Sequence, residues 1–247
     1  MFITAGPAVR TMSHHLADNS EYASKIRTAL GLRYEPVAVK LIPEGVEFPG
    51  GYRKPEGQMS HCQAVMRARK GEYITMKLDD QSCHVGSSAL GMAETPEKVA
   101  DGTLHFNVGA FDSPDAAAKM IADRKVPDIR MAGETVCPLK DADFEPDVVI
   151  LVDIPERLYW IVPLSTAEKG GRVEFSTSAF QCACEDVTAY PFVTRKPNLS
   201  LGCFGCRKKT DMAADELAAG IPYGMIPGFA ARLGKYETGM MAKAKRD

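Results

Sequence analysis

The sequence predicts an α/β fold, mixed α+β in character, built as two pseudo-symmetric tandem lobes from an internal duplication. Three observations predict it. Short apolar runs rich in β-branched residues alternate with segments that read as helices closed by glycine. The order of these segments recurs in the two halves of the chain. The composition, 45% hydrophobic and 25% charged over 247 residues, is that of an ordinary globular chain, long enough to bury a full core in one domain or two.

The elements follow in order. Residues 1–20 read as a loosely ordered arm, and 1–30 as arm plus first helix. Met1 to Asn19 has no apolar stretch suited to a signal peptide. The first repeat is placed at 31–125 and the second at 147–247, with 126–146 as a linker rich in Pro, Asp and Gly. Pro36 to Glu44 resembles Asp147 to Glu156: each is a short buried strand stopped by Pro-Glu. Met66 to Gly71 resembles Ser165 to Gly170, two helix ends closed by glycine. Glu72 to Met76 and Arg172 to Ser176 read as paired strands. Cys83 and Cys182 each follow the matching lysine, Lys70 or Lys169, by 13 residues. Pro96–Gly102 parallels Ala214–Gly220 as short helices, and Asp115–Asp123 parallels Ala230–Tyr236. The copies differ by a Gly- and Pro-loaded insert, Phe48–Ser60, in the first and a cysteine-bearing insert in the second. This alignment predicts a cleft where the lobes meet, with Cys83 and Cys182 in related positions.

The chemistry-bearing motif is Leu201-Gly-Cys203-Phe-Gly-Cys206-Arg-Lys-Lys209, with Cys182 and Cys184 upstream in the spacing C-x-C-x18-C-x2-C. Glycines beside a C-x-x-C let two sulfurs converge while backbone N–H groups face them. Such thiols suit zinc, which four thiolates close into a tetrahedron, or an iron–sulfur cluster. Cys203, Cys206, Cys182 and Cys83 form the first-choice ligand set; Cys184 and Cys62 are alternatives. The other readings of the motif are a redox dithiol and free thiols. Its approach through Lys196-Pro-Asn198 reads as a loop rather than the strand-to-helix step of a thioredoxin-type dithiol. Cys137, before a proline, reads as a bystander. His61 and His84 adjoin cysteines and read as donors to sulfur or spare ligands. Asp79-Asp80 and Glu185-Asp186 read as solvated surface.

Several of these segments also resemble a known family. Leu32 to Pro43, His61-Cys62-Gln63-Ala64, the segment around Cys83, Leu199 to Arg207 and Glu216 to Pro222 are similar to those of the uncharacterised family called domain of unknown function 169, found largely in archaea and anaerobic bacteria. The resemblance runs from about Leu30 to Met240. It brings no activity, but its habitat implies oxygen-sensitive metal chemistry.

Charge and motifs exclude other classes. A net charge of −2 gives no case for nucleic acid or an anionic membrane. The longest strongly apolar run, Val148–Val152, is far too short to span a bilayer. Dinucleotide, P-loop, nucleophile-elbow and zincin motifs are absent. Seven cysteines, an odd count, suit a reducing cytoplasm better than a disulfide framework. The expected function is a cytoplasmic metalloprotein holding an iron–sulfur cluster, [4Fe–4S] favoured, with a redox or electron-transfer role in anaerobic metabolism. Its partner would be a small molecule or a redox protein, and a homo-oligomer is left open. The alternatives are a zinc-stabilised ligand-binding or accessory module and a metal-free cysteine enzyme.

Overall fold

The computed structural model describes residues 12–236. Six strands form one antiparallel sheet: β1 (Val37–Pro43), β2 (Ile74–Lys77), β3 (Met131–Pro138), β4 (Val148–Asp153), β5 (Asn198–Ser200) and β6 (Leu217–Pro222). They lie in the order β2-β3-β1-β4-β6-β5. The helices are α1 (Met12–Leu30), α2 (His61–Ala68), α3 (His84–Ala89), α4 (Glu97–Ala100), α5 (Thr103–Asn107), α6 (Pro114–Ala122), α7 (Pro155–Leu158), α8 (Ile161–Thr166), α9 (Tyr190–Thr194), α10 (Phe204–Lys209) and α11 (Ile226–Tyr236). A π-helix, Cys182–Ala189, precedes α9.

Alternation along the strands divides the core into two layers, because successive strand residues point to opposite faces. Val37, Val39 and Leu41 of β1 and Val148, Ile150 and Val152 of β4 join a core under α2, α3, the π-helix and α10, where Cys62, Cys182, Cys184, Cys203 and Cys206 also lie, with Cys83 at the cavity beside them. Ala38, Val149, Leu151, Cys137 and Ile221 join the opposite core, under α1, α8 and α11. Cys137 is therefore separated from the other six thiols by the sheet.

The sheet order reads the same from either edge when β1, β2 and β3 are matched in turn to β4, β5 and β6. Register agrees too. Val37 faces Pro138 as Val148 faces Pro222, and Ala38 faces Val149 at the centre. The Leu139 N–H donates to the Pro36 carbonyl at 2.7 Å, and the Tyr223 N–H to the Asp147 carbonyl at 3.0 Å. Beyond the sheet the correspondence is partial. Three helices, α4 to α6, precede β3, and none of them has a counterpart before β6.

Several sequence expectations are corrected. The halves do not stand as two lobes about a cleft, because β1 and β4 pair and make the sheet continuous. The stretch 126–146 is not a linker; it holds β3, a strand inside the sheet. Residues 172–176 form no strand. Ala214–Gly220 is not a helix but runs into β6, whose pairing on both sides overrides the helical propensity of Glu-Leu-Ala-Ala. The arm is helical from Met12 onward; residues 1–11 lie outside the described residues. Met240 and Met241 also lie outside them.

Candidate functional site

Four separate segments deliver cysteines to one place. Cys62 is the second residue of α2, whose start is fixed by Gln63: its side-chain oxygen accepts from the Ser60 N–H at 2.9 Å and from the Ser60 hydroxyl at 3.0 Å. Cys83 caps α3, its sulfur accepting from the Gly86 N–H at 3.4 Å. Cys182 and Cys184 open the π-helix, which is buried throughout. Cys203 caps α10, its sulfur accepting from the Cys206 N–H at 3.5 Å. Cys83 and Cys203 thus do the same job after corresponding strands, β2 and β5. The sequence matched Cys83 with Cys182 instead, and the π-helix that precedes β5 shows that pairing to be out of step. The approach to the C-x-x-C is also corrected: β5 feeds α10 directly, through Leu201 and Gly202. The Gly202 φ of 85° is the left-handed turn that makes the step, and a Cβ there would meet Met212 at 2.9 Å.

Cys206 is the meeting point. Its sulfur lies 3.4 Å from that of Cys203 and also interacts with Cys182 and Cys62. Hydrogen bonds with Cys182, Cys203 and Cys62, together with burial, raise its own pKa. The same bond brings Cys203 down to about 5, helped by the backbone N–H groups of Cys206, Cys182 and Gln181 against the opposing effect of burial. Cys62 is brought to about 6 by Cys206, by Ser60 and by the His61 charge. Cys182 is lowered by Cys206 and Ser200. A second pair sits alongside: a methyl on Gly86 would lie 3.5 Å from the Cys83 sulfur and 3.7 Å from the Cys184 sulfur. Burial, then the charges of Cys83, Cys203 and Cys62, push the Cys184 thiol up. Burial also pushes up Cys137 on the far face.

Behind Cys62 runs a buried polar chain. His61 Nδ1 lies 2.6 Å from Glu134 Oε2, and Nε2 lies 2.9 Å from Thr188 Oγ1. The Thr188 hydroxyl donates to the Ala183 carbonyl at 2.7 Å, so it accepts from the imidazole. Both ring nitrogens therefore donate and His61 is an imidazolium. Burial disfavours that charge, but the Glu134 carboxylate outweighs it and the pKa is raised. Gln81 donates to the other Glu134 oxygen at 2.7 Å. Glu185 and Asp186, expected at the surface, are buried. Burial, then a hydrogen bond with Glu185, raise Asp186 to about 9, and Ser200 and Thr177 donate to it at 2.6 and 2.9 Å. Arg124 reaches Thr95 at 2.7 Å and Ser88 at 3.2 Å, with its charge facing Cys184 and Glu185. His84 is exposed, and so is Asp79, but Asp80 is buried and accepts from Tyr52 at 2.6 Å.

Cys62, Cys83, Cys184, Cys203 and Cys206 line one cavity of about 380 Å³, walled by Val85, Leu104, Val108, Phe180 and Phe204. His105 and Gln181 also line it. Among the described residues, no group of three or more His, Cys, Asp or Glu side chains is set out to hold a metal ion. Of the four first-choice residues, Cys182, Cys203 and Cys206 touch one another, Cys62 takes the fourth place in that contact, and Cys83 stands beside Cys184. Arg124, Glu134, Thr188, His105 and Gln181 carried no sequence signal, since each is a single polar residue brought in by tertiary packing.

The family profile of DUF169, described as Uncharacterised ArCR, matches residues 25–232. The chain belongs to the DUF169 family. An uncharacterised protein of Methanocaldococcus jannaschii is 30% identical to this DUF169 chain over 206 residues, covering 82% of the chain and 88% of the archaeal protein. No solved structure matches it. Among its described residues no helix is long and apolar enough to cross a membrane.

Proposed function

We propose that this DUF169 chain holds an iron–sulfur cluster or related thiolate-bound metal, and that its role is redox or electron transfer in the cytoplasm. One observation carries the reading: five of the seven cysteines, delivered by four chain segments, line one cavity, and a sixth, Cys182, interacts with Cys206 behind it. The donors are of the type such a group takes, since thiolates are the ligands of zinc and of iron–sulfur clusters. The Cys206 sulfur interacts with those of Cys182, Cys203 and Cys62. Three lowered thiols, Cys62, Cys182 and Cys203, grouped about one further sulfur suit a soft cation. Cys62, Cys182, Cys203 and Cys206 would hold it, with Cys83 and Cys184 next to it. A bound cluster supplies one-electron transfer. The protein's residues would set its potential through the N–H groups that face the sulfur of Cys203, while the walls of the cavity exclude water. Structural zinc is the weaker alternative, because both faces of the sheet already carry large apolar cores and the fold has no need of a metal staple.

A second reading has its own support. Cys203 opens a helix straight after a strand, its thiol is held near 5, and Cys206 lies one turn on at 3.4 Å. That is the arrangement of a redox dithiol. Metal analysis separates the two. Protein purified without oxygen should contain iron and acid-labile sulfide, and Cys203→Ser should lose most of both. Metal-free protein in which only Cys203 and Cys206 cycle between thiol and disulfide would favour the dithiol instead.

A further inference from the structure

We propose that the groove between α8 and α11 binds a small phosphate ester. The groove has a volume of about 340 Å³, at the lower end for ligand sites and enough for a phosphate with one ring attached. It lies on the face of the sheet away from the thiols: Leu164 and Phe229, which form part of its lining, belong to the core under α1, α8 and α11. Three elements bring a cation to it, Lys169 just beyond α8, Arg195 at the end of α9 and Arg232 on α11. One carboxylate in the lining answers them. Glu168 Oε1 lies 2.7 Å from Arg232 Nη2, and among the described residues neither Lys169 nor Arg195 has a carboxylate at ion-pair distance. Like charges drawn together repel, so a groove that gathers two unmatched cations is stabilised by an anion that enters it.

Local structure fixes where these groups stand. Arg195 closes α9 in the left-handed region, at a φ of 57°, a conformation that is unfavourable for a residue with a side chain. Its N–H donates to the Pro191 carbonyl at 3.0 Å, and its guanidinium lies 5.0 Å from the Phe192 ring centre. Stacking on the ring leaves the N–H edges of the guanidinium open to an acceptor. Gly224 and Gly228 line the groove, and a Cβ on either would meet nothing within 4 Å, so a ligand has room against the backbone there. The two unmatched cations select the ligand's charge. A phosphate monoester carries about 1.5 to 2 negative charges near pH 7 and offers three oxygens, enough for both cations, whereas a carboxylate carries one charge. The guanidinium fork also matches phosphate geometry with paired N–H donors. Met225 and Phe229 give the groove an apolar side for the organic part of the ester. The inference goes beyond the thiol site and rests on no part of the metal reading.

The test uses phenyl phosphate, inorganic phosphate and benzoate as probes of the reduced, full-length protein, with binding read by calorimetry and by amide shifts in nuclear magnetic resonance spectra. Phenyl phosphate should bind with a dissociation constant below about 1 mM and shift the Gly224 and Gly228 amides. Inorganic phosphate lacks the ring and benzoate the second charge, so each should bind at least about threefold more weakly at the same amides. Arg195→Gly removes the guanidinium and suits the left-handed backbone, so the variant should fold and bind phenyl phosphate at least about threefold more weakly. Lys169→Gln should weaken it to a similar degree. Lys119→Gln, which removes an exposed charge from α6, should leave binding unchanged. No binding of phenyl phosphate, shifts confined to other amides, phosphate or benzoate binding as tightly as the ester, or equal weakening in Lys119→Gln would each overturn the proposal. Iron and sulfide are measured on the same samples. Metal-loaded protein that ignores phenyl phosphate overturns this inference alone, and metal-free protein that binds it at Gly224 and Gly228 supports this inference alone.

Discussion

Cys206 and its three sulfur neighbours make each cysteine's importance depend on which face of the sheet it occupies. Cys62→Ser and Cys203→Ser should each remove most of the bound metal, since losing a thiolate removes a charge and a strong bond. Cys137→Ala should leave metal content unchanged, because Cys137 packs in the opposite core. Elemental analysis of the three variants under argon checks the ranking, and equal loss in all three would defeat it. The pH behaviour of the metal-free protein follows from the lowered thiols. Cys203 and Cys62, at about 5 and about 6, lie below the ordinary 9.0. At these two groups the folded state is therefore the weaker proton binder, and they add stability that is complete above about 9 and is lost as pH falls through about 6 and about 5. Their ultraviolet thiolate absorbance should hold from pH 8 down to about 7, fall through about 6 and about 5 as Cys62 and Cys203 each pass half-protonation, and be gone by about 4. Loss already complete above pH 7 would mean that the sulfurs are ordinary thiols.

The π-helix is the element on which the site depends, since it carries Cys182 and Cys184 and lies directly on β6. A Cβ at Gly220 would come 2.1 Å from the Val187 carbonyl oxygen. Gly220→Ala should therefore cost at least about 2 kcal/mol in urea unfolding and weaken metal binding with it. Gly205→Ala, whose added methyl would sit 3.8 Å from the Cys203 sulfur, should cost far less. Equal costs would show that the π-helix does not need its close seat on the strand. The same element shows where sequence reading stopped. β1, β2 and β4 were legible as apolar runs, and α2, α4 and α6 from their glycine ends and proline start. β3 was not, because Met-Ala-Gly-Glu-Thr-Val-Cys-Pro looks like linker. It is a strand because β1 and β2 pair with it on both sides. The π-helix has no sequence pattern of its own: Gln181 enters it at a φ of 69°, a conformation enforced by the packing around it. Without that element the recurrence in the sequence slid out of step, and Cys83 was matched with Cys182 instead of Cys203.

At the scale of the molecule, one continuous sheet with a core on each face replaces the expected two lobes. Unfolding should follow one transition, with backbone circular dichroism and the fluorescence of Trp160 changing together. Two separated transitions would restore independent lobes. The thiol site draws on both halves of that sheet: Cys62 and Cys83 come from elements around β2, and Cys182, Cys184, Cys203 and Cys206 from elements around β5. The convergence of these cysteines was legible in part, since spacing pointed to Cys182, Cys203 and Cys206. Cys62 was legible only as an alternative, because it lies 120 positions before Cys182, and only the shared face of the sheet brings them together. The measurement that tests the account most directly is the iron, zinc and acid-labile sulfide content of the protein purified without oxygen. Iron and sulfide in near-equal amounts, lost together in Cys62→Ser and retained in Cys137→Ala, is the predicted result. Protein that stays free of iron and sulfide after reconstitution with both, while remaining folded, would contradict it.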